Sequence, residues 1–321
     1  MKSVSLKAIL LCLIPPLIWG GMFPIAGHLE PTVNMFAMTL IRYGLVAVIL
    51  IAMLLPKEGT RALRTEGQAW KLFLLGSAGF AGFGLLAFTA LSYTQPVNVS
   101  LIMAMMPAIS AVIASAVAKK FPPIYTVIAI LIAFAGVALV LTDGNITRLV
   151  NPSDALGELL ALLGAICWVL YTRGAASVPG WSVLRYTTVT TVLGLPTIAI
   201  ATVVATTTGF VSPPAVEAVI AGWPELSYLI VFAGVVAVLF WNQGNRLLGP
   251  INGTLFMNLV PVTTFTITAI VTQSFPTSSA LIGLLLVICG LLVNNICARR
   301  APAASKAEKK AATRALVNAG K

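Results

Sequence analysis

The chain alternates long apolar runs with short polar interruptions. Ten such runs lie near 6–27, 33–55, 70–94, 98–118, 123–141, 155–177, 182–208, 225–245, 251–271 and 277–297, each carrying few charges. A run of about 20 apolar residues is long enough to cross the hydrocarbon core of a bilayer as a helix. Within that core every backbone N–H and C=O must be satisfied inside the segment, which selects helices over isolated strands. The expected fold is all-α, a polytopic membrane protein of ten transmembrane helices. Pro213, Pro214, Gly222 and Pro224 interrupt the chain just before the eighth run. Lys2 and Lys7 ahead of the first run imitate a signal peptide, but Pro15, Pro16 and Trp19 break the run, no small-x-small cleavage site stands out and further spans follow. The first run is therefore expected to be a retained span.

The pattern repeats. Pro96, Asn98, Pro107, Phe121, Pro122 and Gly136 return 154 positions later as Pro250, Asn252, Pro261, Phe275, Pro276 and Gly290. With other offsets, Trp19 answers Trp168, and Arg42-Tyr43 answers Arg185-Tyr186. The expected organisation is a first five-helix repeat over 1–142, an external linker over 143–154, a second five-helix repeat over 155–297 and a basic tail over 298–321. Five spans is an odd number, so the second repeat must enter the membrane in the opposite direction. Inverted repeats around a central cavity are a recurrent construction of secondary transporters.

Composition and charge sharpen this picture. With 59% hydrophobic and 9% charged residues, and a mean hydropathy of +0.99, the chain has too little charge to coat a soluble globule. The net charge of +11 is not a nucleic-acid footprint, since seven of the twenty Lys and Arg fall in the last 23 residues. With the amino terminus inside, 17 cations gather on the cytoplasmic side and only Arg148 on the other. That asymmetry predicts a multi-pass protein with both termini cytoplasmic. Trp70, Trp181 and Trp223 lie at span edges, where interfacial tryptophans gather. Cys12, Cys167, Cys289 and Cys297 form no paired spacing. No disulfide framework, metal site or other cofactor is expected.

The Leu17-Ile18-Trp19-Gly20 of helix 1, the Leu40-Ile41-Arg42-Tyr43 of helix 2 and the proline-centred fourth and ninth helices resemble the drug/metabolite transporter (DMT) superfamily, in its EamA-type branch of ten-helix exporters. The resemblance covers about residues 6–297 and, within that branch, extends to the YddG-type amino-acid exporters. It implies a basket of helices around a central substrate cavity.

Several residues are candidates for work at that cavity. Pro107 and Pro261 fall near the middle of helices 4 and 9, where proline removes a hydrogen bond to the carbonyl four residues earlier. Kinked backbone at membrane depth is tolerated where it is buried or lines a cavity, so the pair reads as hinges or as static packing kinks. Asn98, Asn242, Asn252 and Asn258, with Asn245, offer uncharged polar groups to a solute's ammonium or carboxylate; hydrogen bonding between helices, or helix capping for Asn98 and Asn252, is the alternative. Trp19 and Trp168 lie too deep for an interfacial belt, and facing inward they would give a cavity aromatic walls that suit apolar side chains and attract an ammonium. Tyr43 belongs with them, and Phe88, Tyr93, Tyr171 and Trp241 are weaker candidates of the same kind, with plain packing as the competing role. Arg42 is a cation well inside a span, a functional hypothesis by default. It either binds a substrate carboxylate or snorkels and bonds backbone; the position of Arg185 nearer the membrane edge favours a structural role for the pair. The glycines of helix 3 read as close-packing sites, and the threonines of helix 7 as hydroxyls folded back onto their own carbonyls.

The acids Glu30, Glu58, Glu66, Asp143, Asp154, Glu158, Glu217, Glu225 and Glu308 all fall in loops, span ends or the tail, and His28, the single histidine, lies in the first external loop. The usual intramembrane proton relay is missing. The expected function is a secondary transporter exporting amino acids, aromatic or otherwise apolar, or similar small metabolites by alternating access, facilitated or by exchange without obligatory proton coupling. A multidrug or nucleotide-sugar carrier on the same fold is the alternative. A membrane-embedded enzyme lacks the paired acids, metal cluster or nucleophile and base that hydrolysis needs. The partners expected are a small-molecule solute and the lipid bilayer, with no nucleic acid.

Overall fold

A computed structural model describes residues 6–300 apart from 120, 122, 143, 146–151, 249–255, 258 and 274–276. Its long helices are α1 (Leu6–Leu29), α2 (Met35–Glu58), α3 (Ala69–Ser92), α4 (Pro96–Val117), α5 (Ile124–Thr142), α6 (Pro152–Gly174), α7 (Val183–Thr207), α8 (Trp223–Leu248), α9 (Leu259–Thr272) and α10 (Ser278–Arg300). Among the described residues there is no strand, and seven helices are long and apolar enough to cross a membrane: α1 to α4, α7, α8 and the Ala155–Ser177 stretch beginning within α6. The protein is an all-helical, polytopic membrane protein. α5, α9 and α10 stand where the other three spans are expected; the apolar stretches described for α9 and α10 are shorter.

Local chemistry sets the ends and bends. Asn34 caps α2 by accepting from the Ala37 N–H at 2.9 Å, and Ser182 caps α7 by accepting from the Arg185 N–H at 2.9 Å. In α1, Pro24 cannot donate to the carbonyl of Gly20 four residues back. The Thr264 hydroxyl of α9 donates to that carbonyl instead, at 2.8 Å, and the Tyr228 hydroxyl of α8 donates to the Ile18 carbonyl at 2.7 Å. Proline in α1 thus creates an acceptor that ties α1 to its neighbour. α4 is broken at Ala104 and Met105, where the Met105 N–H turns back to the Ile102 carbonyl at 3.0 Å before the helix resumes at Met106 with Pro107 in its first turn. That is the interruption expected of Pro107. Pro261 lies in the first turn of the described α9, and most of the run ahead of it, 251–255 and 258, lies outside the described residues.

α3 and α8 each contain a π-helical stretch, Ser77–Gly82 and Tyr228–Val236. The principal packing pairs follow a simple rule, with the contact of α1 on α4 standing outside it among the described residues. α1 lies against α8 and α9, and α6 against α3 and α4; α2 packs on the π stretch of α8 and α7 on that of α3; α2 pairs with α7, α4 with α9 and α5 with α10. Adding or subtracting five from each helix number maps this set onto itself. Glycines permit the closest approaches: a Cβ on Gly194 would lie 2.6 Å from the Gly76 carbonyl oxygen, and one on Gly136 would lie 2.6 Å from that of Gly283. The threonines of α7 bond their own helix, as Thr188 to Leu184 at 2.7 Å and Thr191 to Thr187 at 2.7 Å.

Candidate substrate site

Where α1, α6 and α8 meet, three tryptophans form the centre of the bundle. Trp19 meets Trp168 edge-on with ring centroids 5.6 Å apart and Trp241 at 5.5 Å. The cluster continues through Phe83 and Tyr171 beside Trp168, then Phe80 and Tyr43, and on the other side to Tyr186 stacked on Tyr171 at 5.3 Å. Such edge-to-face contacts set a rigid aromatic frame. Polar bonds lock it. The Trp19 indole donates to the Ala233 carbonyl in the π stretch of α8 at 3.1 Å, Tyr186 donates to the Tyr171 carbonyl at 2.7 Å, and the Asn242 amide donates to the Tyr171 hydroxyl at 3.1 Å and to the Thr187 hydroxyl at 3.0 Å. The Trp168 indole N–H, buried beside them, has no partner among the described residues.

Two voids flank this frame. The larger, about 510 Å³, runs between α4, α6, α7 and α8 and is lined at its depth by Met106, Trp168, Tyr186, Trp241 and Asn242. Towards the end of the bundle that carries residues 173–183 and 246, its walls include Arg173, Trp181, Ser182, Asn245 and Arg246. The smaller void, about 20 Å³, lies across the frame and is lined by Trp19, Arg42, Tyr43, Phe83, Trp168 and four methionines, among others. Met106 and Trp168 border both. Among the described residues no carboxylate lines either void.

A polar clasp sits at the mouth of the larger cavity. The Arg185 guanidinium, from the first turn of α7, donates to the carbonyls of Ala62 and Arg64 and to Glu66 at 2.7 Å, and lies 3.9 Å above the Trp181 ring. The Trp181 indole donates to the other oxygen of Glu66 at 3.0 Å. These two donors, the indole first, hold the exposed Glu66 carboxyl below the usual carboxylate range. Ser182 donates to Glu58 at 2.6 Å, and Arg246 donates to the Trp181 carbonyl at 2.9 Å. At the opposite end, Ser92 donates to Glu30 at 2.9 Å, His28 lies 3.4 Å from Glu225, and Asn34 donates to the Ser212 carbonyl at 2.7 Å.

The sequence profile of the EamA-like transporter family matches the chain twice, over residues 6–142 and 155–296. This chain belongs to that family. Its relatives include the uncharacterized transporter YrdR of Bacillus subtilis strain 168, 37% identical over 91% of this chain and 92% of that one, and the uncharacterized transporter YyaM of the same organism, 34% identical over 78% and 81%. A crystal structure sharing 21% identity superposes with a TM-score of 0.66 over 91% of this chain and 98% of its own, a likeness of fold.

In this EamA-like transporter the expected site residues separate into groups. Trp168, Trp241 and Asn242 line the larger cavity, while Trp19, Tyr43 and Arg42 face the smaller void. Phe88 is fully buried with its ring 5.2 Å from the Arg42 guanidinium, and it lines neither void. Asn98 donates to the Thr94 hydroxyl at 2.8 Å in the first turn of α4; Gln95, not Asn98, occupies the cap position, and Asn98 also lines neither void. Asn252 and Asn258 lie outside the described residues. Trp181, read as an interfacial residue, is buried in the clasp at the cavity mouth, whereas Trp70 and Trp223 are exposed. Residues that sequence reasoning does not single out also line the cavity: Tyr186, Thr172, Ser110 and the cations Arg173 and Arg246. The two arginines read in the sequence as inside-positive markers, a signal that hides a second role.

Proposed function

We propose that this EamA-like transporter exports amino acids with aromatic or otherwise apolar side chains, or similar small metabolites, across the bacterial inner membrane by alternating access. The observation that carries the reading is the cavity of about 510 Å³ floored by Trp168, Trp241 and Asn242. Its volume lies in the range of small-molecule sites, and its lining is apolar with a few convergent polar groups, the composition such sites share. The indole faces suit an apolar side chain and attract an ammonium, while Asn242 and the mouth arginines offer donors to a carboxylate. With the cation-rich ends of the helices placed in the cytoplasm, the cavity opens inward, the side from which an exporter loads.

Ten crossings arranged as two inverted five-helix repeats fit the doubled family match and the exchange of packing partners on adding five to each helix number. Pro107, at the break in α4, and Pro261, at the start of α9, are the hinges of this scheme. Transport runs as facilitated flux or exchange without obligatory proton coupling, since no carboxylate among the described residues lines either void to carry the proton. Counterflow of a panel of labelled amino acids in proteoliposomes, with and without an imposed pH gradient, tests solute and coupling together. Saturable counterflow of aromatic and branched amino acids, unchanged by the gradient, is expected. Uphill accumulation driven by the pH gradient alone would overturn the coupling, and no counterflow of any amino acid would overturn the solute class.

A further inference from the structure

Arg42 is buried to 1% exposure about two turns into α2, and no carboxylate among the described residues lines the void it faces. Its Nε and Nη1 make no hydrogen bond to any described residue, and its Nη2 finds only the Met22 sulfur, a weak acceptor, at 3.4 Å. The guanidinium rests instead against the rings of Tyr43 and Phe88, 4.8 Å and 5.2 Å from their centroids. Buried cations are ordinarily paired and hydrogen-bonded, because the low-dielectric interior penalises a lone charge. The structural explanations for an intramembrane arginine do not apply: among the described residues the side chain neither snorkels to an edge nor caps a carbonyl. Its sequence counterpart Arg185 shows what the structural role looks like, with two carbonyls, a carboxylate and an indole face all engaged.

The orphan donors border a void of about 20 Å³, room enough for a water-sized polar atom. Met22, Met103, Met106 and Met257 wall it, and methionine is the side chain that most easily changes shape without losing contact. Among the described residues, Trp168 and Met106 alone stand in the linings of both this void and the solute cavity. Trp168, whose N–H has no partner among the described residues, is thus part of the partition between the two.

We propose that Arg42 is the receptor for the carboxylate of the transported solute, engaged when the solute passes from the mouth of the cavity to the centre of the bundle. Arg173 and Arg246 steer the anionic end inward, the aromatic frame holds the side chain, and the fork of Arg42 supplies the missing partner. This inference rests on the transport reading above and adds to it the anionic group that a solute must carry.

The test pairs each amino acid with its decarboxylated amine and its amide in proteoliposome counterflow, for wild type, R42K, R42Q and R42M. Wild type is expected to prefer the acid at least about tenfold over either partner, the ratio that one charge-assisted contact of about 1.4 kcal/mol supplies. R42K should keep part of that preference, and R42Q and R42M should abolish it. Retained preference in the neutral variants, or none in the wild type, overturns the assignment while leaving transport itself standing. A second arm needs no transported solute: melting of the purified proteins in formate, chloride or gluconate at equal ionic strength. Formate is expected to raise the melting temperature of wild type by several degrees over gluconate, and not that of R42M. Equal shifts in both proteins, or a shift with chloride but not formate, overturn the carboxylate site. R42M in gluconate should melt no lower than wild type, since it removes an unpaired buried charge; a large fall there marks a structural arginine and also overturns the proposal.

Discussion

Trp19 and Trp168 occupy corresponding positions in the two sequence halves and touch at the centre, yet their indole N–H groups differ. That of Trp19 is bonded to Ala233, and that of Trp168 has no partner among the described residues. Replacing Trp19 by Phe leaves a buried carbonyl without its donor, a loss of about 1–3 kcal/mol, whereas the same change at Trp168 breaks no described hydrogen bond. Thermal melting in detergent should therefore show W19F clearly destabilised and W168F nearer wild type. Trp168 lines the cavity, so W168A should weaken transport of apolar solutes more than of small polar ones; equal loss across a solute panel would reduce it to packing. Asn242 bridges Tyr171 and Thr187, so N242A should cost about 1–3 kcal/mol, and Y171F less, because Asn242 keeps Thr187. Trp19 and Trp168 are legible in the sequence because the repeat marks them and their depth excludes an interfacial belt. Tyr186 is not legible as a lining residue, since an aromatic on an apolar helix has the same signature whether it packs or lines a cavity. Asn98 shows the converse: a polar residue in a span attracts notice, but here its amide donates to Thr94 one turn earlier and it lines neither void.

Among the helices, the contact of α3 with α7 is backbone against backbone at Gly76 and Gly194. G194A pushes a methyl group into a carbonyl and should destabilise by about 1–3 kcal/mol. A methyl group on Gly44, within α2, would meet nothing within 4 Å, so G44A should be neutral or gain up to about 1 kcal/mol of helix propensity. The two variants compared by melting separate packing from propensity. The clasp between α7 and the segment before α3 carries a pH dependence. Glu66 is held below its ordinary pKa of 4.5 in the folded protein, so its contribution is complete above that value and is lost as pH falls through the lower, folded one. Acid melting profiles of wild type and E66Q should be fully separated above pH 4.5 and should converge as pH falls through the lowered pKa of the folded protein. Helix positions are readable from the apolar runs because a bilayer imposes length and continuity. The π stretches are not, since a widened turn leaves no mark in a mostly apolar sequence.

At the scale of the molecule, the excess of cations at one end of the bundle predicts that the cavity mouth faces the cytoplasm. Ala176 is exposed and lines that mouth. In a variant lacking the native cysteines, A176C should react with a membrane-impermeant maleimide in inside-out vesicles and not in right-side-out ones, with solute slowing the reaction. The opposite pattern would reverse the orientation. Membrane class and family are open to sequence reasoning because composition and duplication are global signals; the position of the cavity is not, because it depends on which faces of α4, α6, α7 and α8 fail to meet. The widened turns of α3 and α8 carry a further consequence. A π turn holds one residue more than an α turn, and it can travel along a helix as a dislocation glides through a crystal, residue by residue, with both ends of the rod pinned. Each step turns a side chain through about 100°. The residues within reach of that glide include Phe80 of the aromatic frame, Ala233 beneath Trp19 and Gly234 beside Arg42. Were either widened turn to move in this way, side chains at the centre of this bundle would exchange faces while the helix ends stay where the membrane holds them.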